Sequence, residues 1–131
     1  MDSKELHDVM TATQSGKLTF PEVVSRLSEA GVESYFVDFA SADETFYMKD
    51  GSTHREKMIL SREFVNEHYS AADLVAAIRG AQADRVRYPE FVKRATAAGV
   101  ISYWAFLMGR KVVYFGRKGE MHVEEFPNPK S

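Results

Sequence analysis

One stretch of this chain is written twice, and a duplication constrains a fold more tightly than any single motif. The run Phe20-Pro21-Glu22-Val23-Val24-Ser25-Arg26, followed by Ala30-Gly31-Val32-Glu33-Ser34-Tyr35, returns 68 residues later. Its second version reads Tyr88-Pro89-Glu90-Phe91-Val92-Lys93-Arg94 and then Ala98-Gly99-Val100-Ile101-Ser102-Tyr103. Held without a gap over 2–56 against 70–124, the offset gives 14 identical pairs in 55, where average residue usage gives about 3 by chance. The chain of 131 residues therefore reads as a single domain made of repeat one (2–56), a connecting segment (57–69), repeat two (70–124) and a short tail (125–131).

Each repeat opens with helical signals and closes with strand signals. Asp2 with Glu5, Thr19 with Glu22 and Ser70 with Asp73 stand at the capping-box spacing, an acceptor followed three residues on by a carboxylate. Leu6, Val9 and Met10 then recur at helical spacing, as do Leu74, Val75 and Ile78 in the second repeat. The pattern predicts helices over about 3–14, 20–30, 71–82 and 88–98, with Gly31 and Gly99 as left-handed C-terminal caps. Gly80 predicts an irregularity in the third helix, and Arg87, standing where repeat one has Thr19, predicts a weaker N-cap. From Glu33 the period shortens to two: Tyr35, Val37 and Phe39 alternate with Ser34, Phe36 and Asp38, and strands follow near 45–48 and 53–58 around Asp50-Gly51. Repeat two gives strands near 101–108, 112–116 and 120–126. The fold class is α+β, two α-α-β-β-β repeats with antiparallel sheet and helices packed on one side. One six-stranded sheet and two three-stranded sheets both satisfy the pattern. In the connecting segment, Ser61 is positioned to cap a short helix carrying Phe64, Val65 and His68, and Pro127 and Pro129 suggest an extended tail.

Charge separates the repeats. Repeat one carries five Lys/Arg against eleven Asp/Glu, a balance of -6; repeat two carries nine against five, a balance of +4. Opposite fields favour the halves lying together or chains associating, an effect that salt weakens. There are no cysteines, which removes disulfides, thiolate metal sites and cysteine nucleophiles together. No apolar run reaches the roughly 20 residues of a membrane-spanning helix and the acidic start lacks a signal-peptide pattern, so the expected location is cytoplasmic, with no membrane partner.

The run from Leu18 to Asp38, the Phe46-Tyr47 pair and Asp50-Gly51 together resemble the bacterial family of unknown function whose members are often labelled phage-envelope-protein-like. The resemblance spans nearly the whole chain. It implies a small α+β protein of bacteria and prophages, and it brings no activity and no site residues.

Candidate functional residues fall into four groups. His54 with Glu56, and His122 with Glu124, form a repeated His-x-Glu; residues two apart on a strand share a face, so each pair places an imidazole beside a carboxylate, as metal ligands, acid–base partners or a structural ion pair. A two-fold relation between the repeats could bring four such groups together. Tyr35 and Tyr103 occupy equivalent positions and suit either a pocket wall or a buried, satisfied hydroxyl. Trp104 suits a binding surface or the core, and it shares a strand face with Phe106 and Met108, where repeat one has Phe36, Asp38 and Ala40. That second strand is apolar on both faces, which calls for cover on both: the connecting helix, the other repeat or a second subunit. Phe36, Asp38, Phe106 and Met108 are thus candidate interface residues. Arg110-Lys111 and Arg117-Lys118 flank Tyr114 and Phe115, a pattern that also suits single-stranded nucleic acid, but charges at turns are ordinarily just solvated, and nucleic acid is not the expected partner.

No Gly-rich phosphate loop, dinucleotide fingerprint, His-Glu-x-x-His or Gly-x-Ser-x-Gly element occurs, so no cofactor is implied. The expected function is a non-catalytic binding or protein-interaction module that self-associates as a homodimer or takes another protein partner. The competing reading is a small-molecule or metal site, or a minor enzyme, in the groove between the repeats.

Overall fold

A computed structural model describes residues 2–127. The element order is α1 (Ser3–Gln14), α2 (Phe20–Glu29), β1 (Val32–Asp38), β2 (Asp43–Met48), β3 (Thr53–Lys57), α3 (Ala71–Gln82), α4 (Tyr88–Ala97), β4 (Val100–Phe106), β5 (Lys111–Gly116) and β6 (Met121–Glu125). The six strands form one antiparallel sheet in the order β3-β2-β1-β4-β5-β6. This resolves the choice between one sheet and two, and it puts the first strand of each repeat side by side at the centre.

The register locates the symmetry. Along the central ladder Phe36 pairs with Trp104, its own counterpart at the 68-residue offset, while Tyr35 pairs with Ala105 and Val37 with Tyr103. A residue lies beside its own duplicate only on a two-fold axis, so the pseudo-dyad passes between Phe36 and Trp104. Both repeats also carry a register shift at the same place, Val32/Ser34 and Val100/Ser102.

The helices cover one face. Tyr35, Val37, Phe39, Phe46 and Met48 of repeat one, and Tyr103, Ala105, Leu107, Val112 and Tyr114 of repeat two, are buried beneath Leu6, Val9, Met10, Leu27, Leu74 and Ile78. Full burial of each Val, Leu, Ile, Phe or Met side chain among them contributes about 1.5–3 kcal/mol. Asp2, Thr19 and Ser70 cap their helices as the spacing predicts, Thr19 with Glu22 in a reciprocal capping box. Arg87 makes no side-chain cap; its guanidinium instead donates to the Gly16 carbonyl at 2.8 Å and to Asp84 at 2.7 Å, tying the start of α4 to the α1–α2 turn of the other repeat.

Two expectations are corrected. The connecting segment forms no helix from Ser61. Its polar groups are satisfied from outside: Gln14 Oε1 accepts from the Ile59 and Leu60 amides, and the Asn66 and Ser70 amides donate to the carbonyls of Thr96 and Ala98 at the end of α4. Only Val65 is buried there, while Phe64 is 82% exposed, so no apolar stripe would fasten a helix to the core. The segment passes so close to Gly99 (φ +94) that a Cβ would stand 2.7 Å from the His68 carbonyl oxygen. Nor is α3 irregular at Gly80. The helix runs through it, and the absent side chain makes room for Val86, whose Cγ2 would lie 2.8 Å from a Cβ. Pro129 lies outside the described residues. Among the described residues no helix is long and apolar enough to cross a membrane.

Candidate functional site

The sheet face turned away from the helices is open. Paired residues of an antiparallel ladder share a face, so the registers define three rows across it. The middle row reads Arg55, Thr45, Phe36, Trp104, Val113, Val123; the flanking rows run from Thr53 through Tyr47, Ser34, Phe106 and Lys111 to Glu125, and from Lys57 through Asp43, Asp38, Ser102 and Phe115 to Met121. The half from repeat one is mainly polar. The half from repeat two presents Trp104, Phe106, Val113, Phe115, Met121 and Val123.

Trp104 anchors this face at the pseudo-dyad. Its ring meets Phe36 edge-on at 5.2 Å and stacks on Tyr47 at 5.5 Å and Phe106 at 5.4 Å. The indole Nε1 is out of contact with solvent and has no hydrogen-bond partner, an unusual state for a group that ordinarily finds one. Met121 and Val123 are 61% and 45% exposed, and nothing in the described chain covers them. The cover expected from the connecting segment is absent because that segment forms no helix, and the other repeat extends the sheet instead of capping it. Met108 is exposed but lies in the β4–β5 turn, since β4 ends at Phe106. Asp38 acts locally, its Oδ1 accepting from the Ala40 and Ser41 amides and shaping the β1–β2 turn. On the face itself Arg55 and Lys57 balance Asp38 and Asp43, and Lys111 balances Glu125, so the charge contrast between repeats lies elsewhere.

The two His-x-Glu pairs sit on β3 and β6, the opposite edges of the sheet, and the symmetry therefore separates them. Each carboxylate joins its edge strand to the first helix of its own repeat. Glu56 receives His54 at 2.7 Å and His7 of α1 at 2.8 Å; Glu124 receives His122 at 3.2 Å, Gln82 at 3.3 Å and Arg79 of α3 at 2.6 Å. Burial raises both carboxyls, and these hydrogen bonds outweigh it, holding both below the usual carboxylate range. His54 stacks on Phe46 and His122 lies against Tyr114. Each pair thus links an edge strand to a helix of its own repeat, and no three His, Asp or Glu groups among the described residues converge as metal ligands.

Tyr35 and Tyr103 do come together, on the helix side of the dyad, with ring centroids 6.2 Å apart. Burial raises both phenols well above their ordinary range. They line a cavity of about 180 Å³ between the repeats, walled further by Tyr88, Phe91 and Tyr114 and reaching the surface at Phe20 and Gln82. Glu124 lines it too, whereas the other three His-x-Glu residues do not. The Tyr103 hydroxyl is hydrogen-bonded to that of Tyr88 at 2.8 Å. Arg110 and Arg117 stand at opposite ends of β5, one over Phe126 and the other on the Val65 carbonyl, so they form no continuous basic track.

Glu44 is a site residue that motif spacing does not mark. It is 7% exposed, on the buried face of β2 with Phe46 and Met48. Burial first, and Glu56 directly across the ladder second, push its carboxyl up to about 8, the neighbouring Gln14 amide offsetting part of the rise. The signal that could have found it is phase: Glu44 falls in the apolar register of the alternation Glu44, Phe46, Met48. Val113, Phe115, Met121 and Val123 are likewise recoverable once β5 and β6 are known to share one sheet with Trp104.

Comparison with known proteins adds no relative to this picture: no family model matches the chain, and no curated protein matches it.

Proposed function

We propose that the protein is a non-catalytic interaction module that self-associates through its open sheet face. The observation that carries this is the uncovered aromatic and aliphatic half-face around Trp104, with Met121 61% and Val123 45% exposed. Contiguous apolar surface of this kind marks interaction sites in soluble proteins. Six strands about 4.8 Å apart and three rows about 6.8 Å apart make a face of roughly 600 Å². Two such faces bury roughly 1,200 Å², the lower end for a specific interface.

The partner is a second copy, and the arrangement follows from the pattern of the face. A two-fold axis along the middle row sets apolar half against apolar half and polar half against polar half. An axis along the strands would oppose Val113 and Val123 to the polar half of the partner. Because charges on this face cancel, packing favours the first arrangement, and salt strengthens or leaves unchanged the association instead of weakening it. The resemblance to the phage-envelope-protein-like family belongs to the same proposal and adds no activity to it.

Sedimentation equilibrium on the wild type and on Val123→Asp tests the reading. The expected result is a dimer that persists at high salt and dissociates in Val123→Asp, where each interface buries the new charge twice. A wild type that remains monomeric at tens of micromolar, or a dimer indifferent to Val123→Asp, overturns it.

A further inference from the structure

The duplication copied a void as well as a chain, and the two copies have diverged. Repeat one retains a space of about 10 Å³ lined by Met10, Leu27, Glu44 and Phe46. At the 68-residue offset Met10, Glu44 and Phe46 become Ile78, Val112 and Tyr114, which line the 180 Å³ cavity. One void is filled, and its counterpart is open. An apolar concavity with a few polar groups in its wall is the ordinary form of a small-molecule site, and the filled duplicate shows that the same fold can close this space with side chains.

We propose that the cavity binds a compact, uncharged aromatic molecule of one or two fused rings that carries a single hydrogen-bonding group. Its size fits, since an apolar void of roughly 150 Å³ accommodates benzene. Its walls fit as well: Tyr35, Tyr88, Phe91, Tyr103 and Tyr114 surround the space with ring faces and edges, and offset or edge-on aromatic contacts are favourable beyond simple burial. One polar handle is present at the inner end. The Tyr88 and Tyr103 hydroxyls share one hydrogen bond and the Tyr35 hydroxyl stands beside Tyr103, a cluster whose remaining protons and lone pairs can meet a single polar group of a ligand.

Charge on the ligand is disfavoured. Of the three acidic residues of the lining, Glu124 is engaged with Arg79 and Asp84 with Arg87 at the rim, and Glu125 pairs with Lys111 in a row of the opposite, open face. Glu44 stands behind Tyr35, Tyr88 and Tyr103, lining the small void with them, and is not part of the cavity wall. A charged ring would lose its hydration without finding a partner. This site lies on the opposite side of the sheet from the self-association face, so the two proposals fail independently.

Calorimetric titration of the wild type with phenol and indole, against benzoate and benzylammonium as charged counterparts, tests the inference. Phenol and indole are expected to bind saturably at one site per chain and at least tenfold more tightly than either charged ring. Ala81→Phe, which fills the cavity from α3, abolishes binding. Val112→Phe fills it from the sheet and serves if Ala81→Phe does not fold. Tyr103→Phe weakens phenol about tenfold and leaves toluene unchanged. The inference is overturned if neither neutral ring binds the folded wild type, if a charged ring binds as tightly, or if both filled variants bind as before.

Discussion

Replacing Glu44 by Gln isolates the cost of the buried carboxyl. In the folded protein burial and Glu56 raise this group from 4.5 to about 8. Between those values the native state holds a proton that the unfolded chain has released, so stability falls as pH rises and is greatest below the unfolded value. The slope is about 1.4 kcal/mol per pH unit. Over the interval from 4.5 to about 8 the loss reaches about 5 kcal/mol, a large part of the stability of an ordinary domain. A glutamine side chain has nearly the shape of the protonated acid and does not titrate. His7, raised by its hydrogen bond to Glu56, contributes a slope of the same sign to both proteins and cancels in the difference. Urea unfolding followed by circular dichroism at about pH 4.5, 6, 7 and 8 reads the effect through the midpoint at constant m. The two proteins are expected to be nearly equal at the acid end, and Glu44→Gln to be the more stable by several kcal/mol at pH 8. Parallel curves across the range would refute the reasoning, because they would mean that Glu44 titrates alike folded and unfolded.

Glu124 carries the opposite sign. Its carboxyl is held low by Arg79 and His122 against the effect of burial, so its contribution is present above 4.5 and is lost as pH falls through the folded value; Glu124→Gln is expected to flatten the acid limb of the stability curve, measured by the same unfolding titration. Gly80→Ala, ordinarily a gain of about 1 kcal/mol inside a helix, is expected instead to destabilise by about 1–3 kcal/mol, because the new Cβ would meet Val86 at 2.8 Å; a thermal melt decides the sign.

Most of the fold is legible in the sequence because both of its periods are strong and each is stated twice. The capping spacings at Asp2, Thr19 and Ser70 and the alternation through Tyr35, Val37 and Phe39 report local physics, which a sequence records directly. The connecting segment misleads because Ser61 is a competent cap, but a cap needs an apolar stripe to act on, and Phe64 finds no core while Gln14 and the end of α4 take up the backbone. Gly80 misleads for a related reason: its cause, Val86, comes from a loop that folds back, and no local signal announces a close approach. The site is half legible. Trp104 and Phe106 can be placed on one strand face, but the breadth of that face depends on β5 and β6 lying beside them and on β1 meeting β4 at Phe36. The imidazole and carboxylate of each His-x-Glu lie side by side as the spacing within a strand predicts, but that spacing does not record the distance between strands, and the sheet sends the two pairs to opposite edges. Glu44 requires only that its phase in β2 be taken as seriously as that of Phe46.

The chain has no cysteine, so a single introduced one reports contact between copies without background. Val123 lies on the middle row of the open face, where the proposed axis sets it near its own counterpart, and Lys93 lies exposed on α4 on the far side of the molecule. Packed sheets stand about 10 Å apart, a distance matched by a cross-linker of about that reach. Val123→Cys is expected to yield covalent dimers at micromolar concentration while Lys93→Cys yields almost none. Equal cross-linking at the two positions, or none at Val123→Cys, would contradict self-association through the open sheet face.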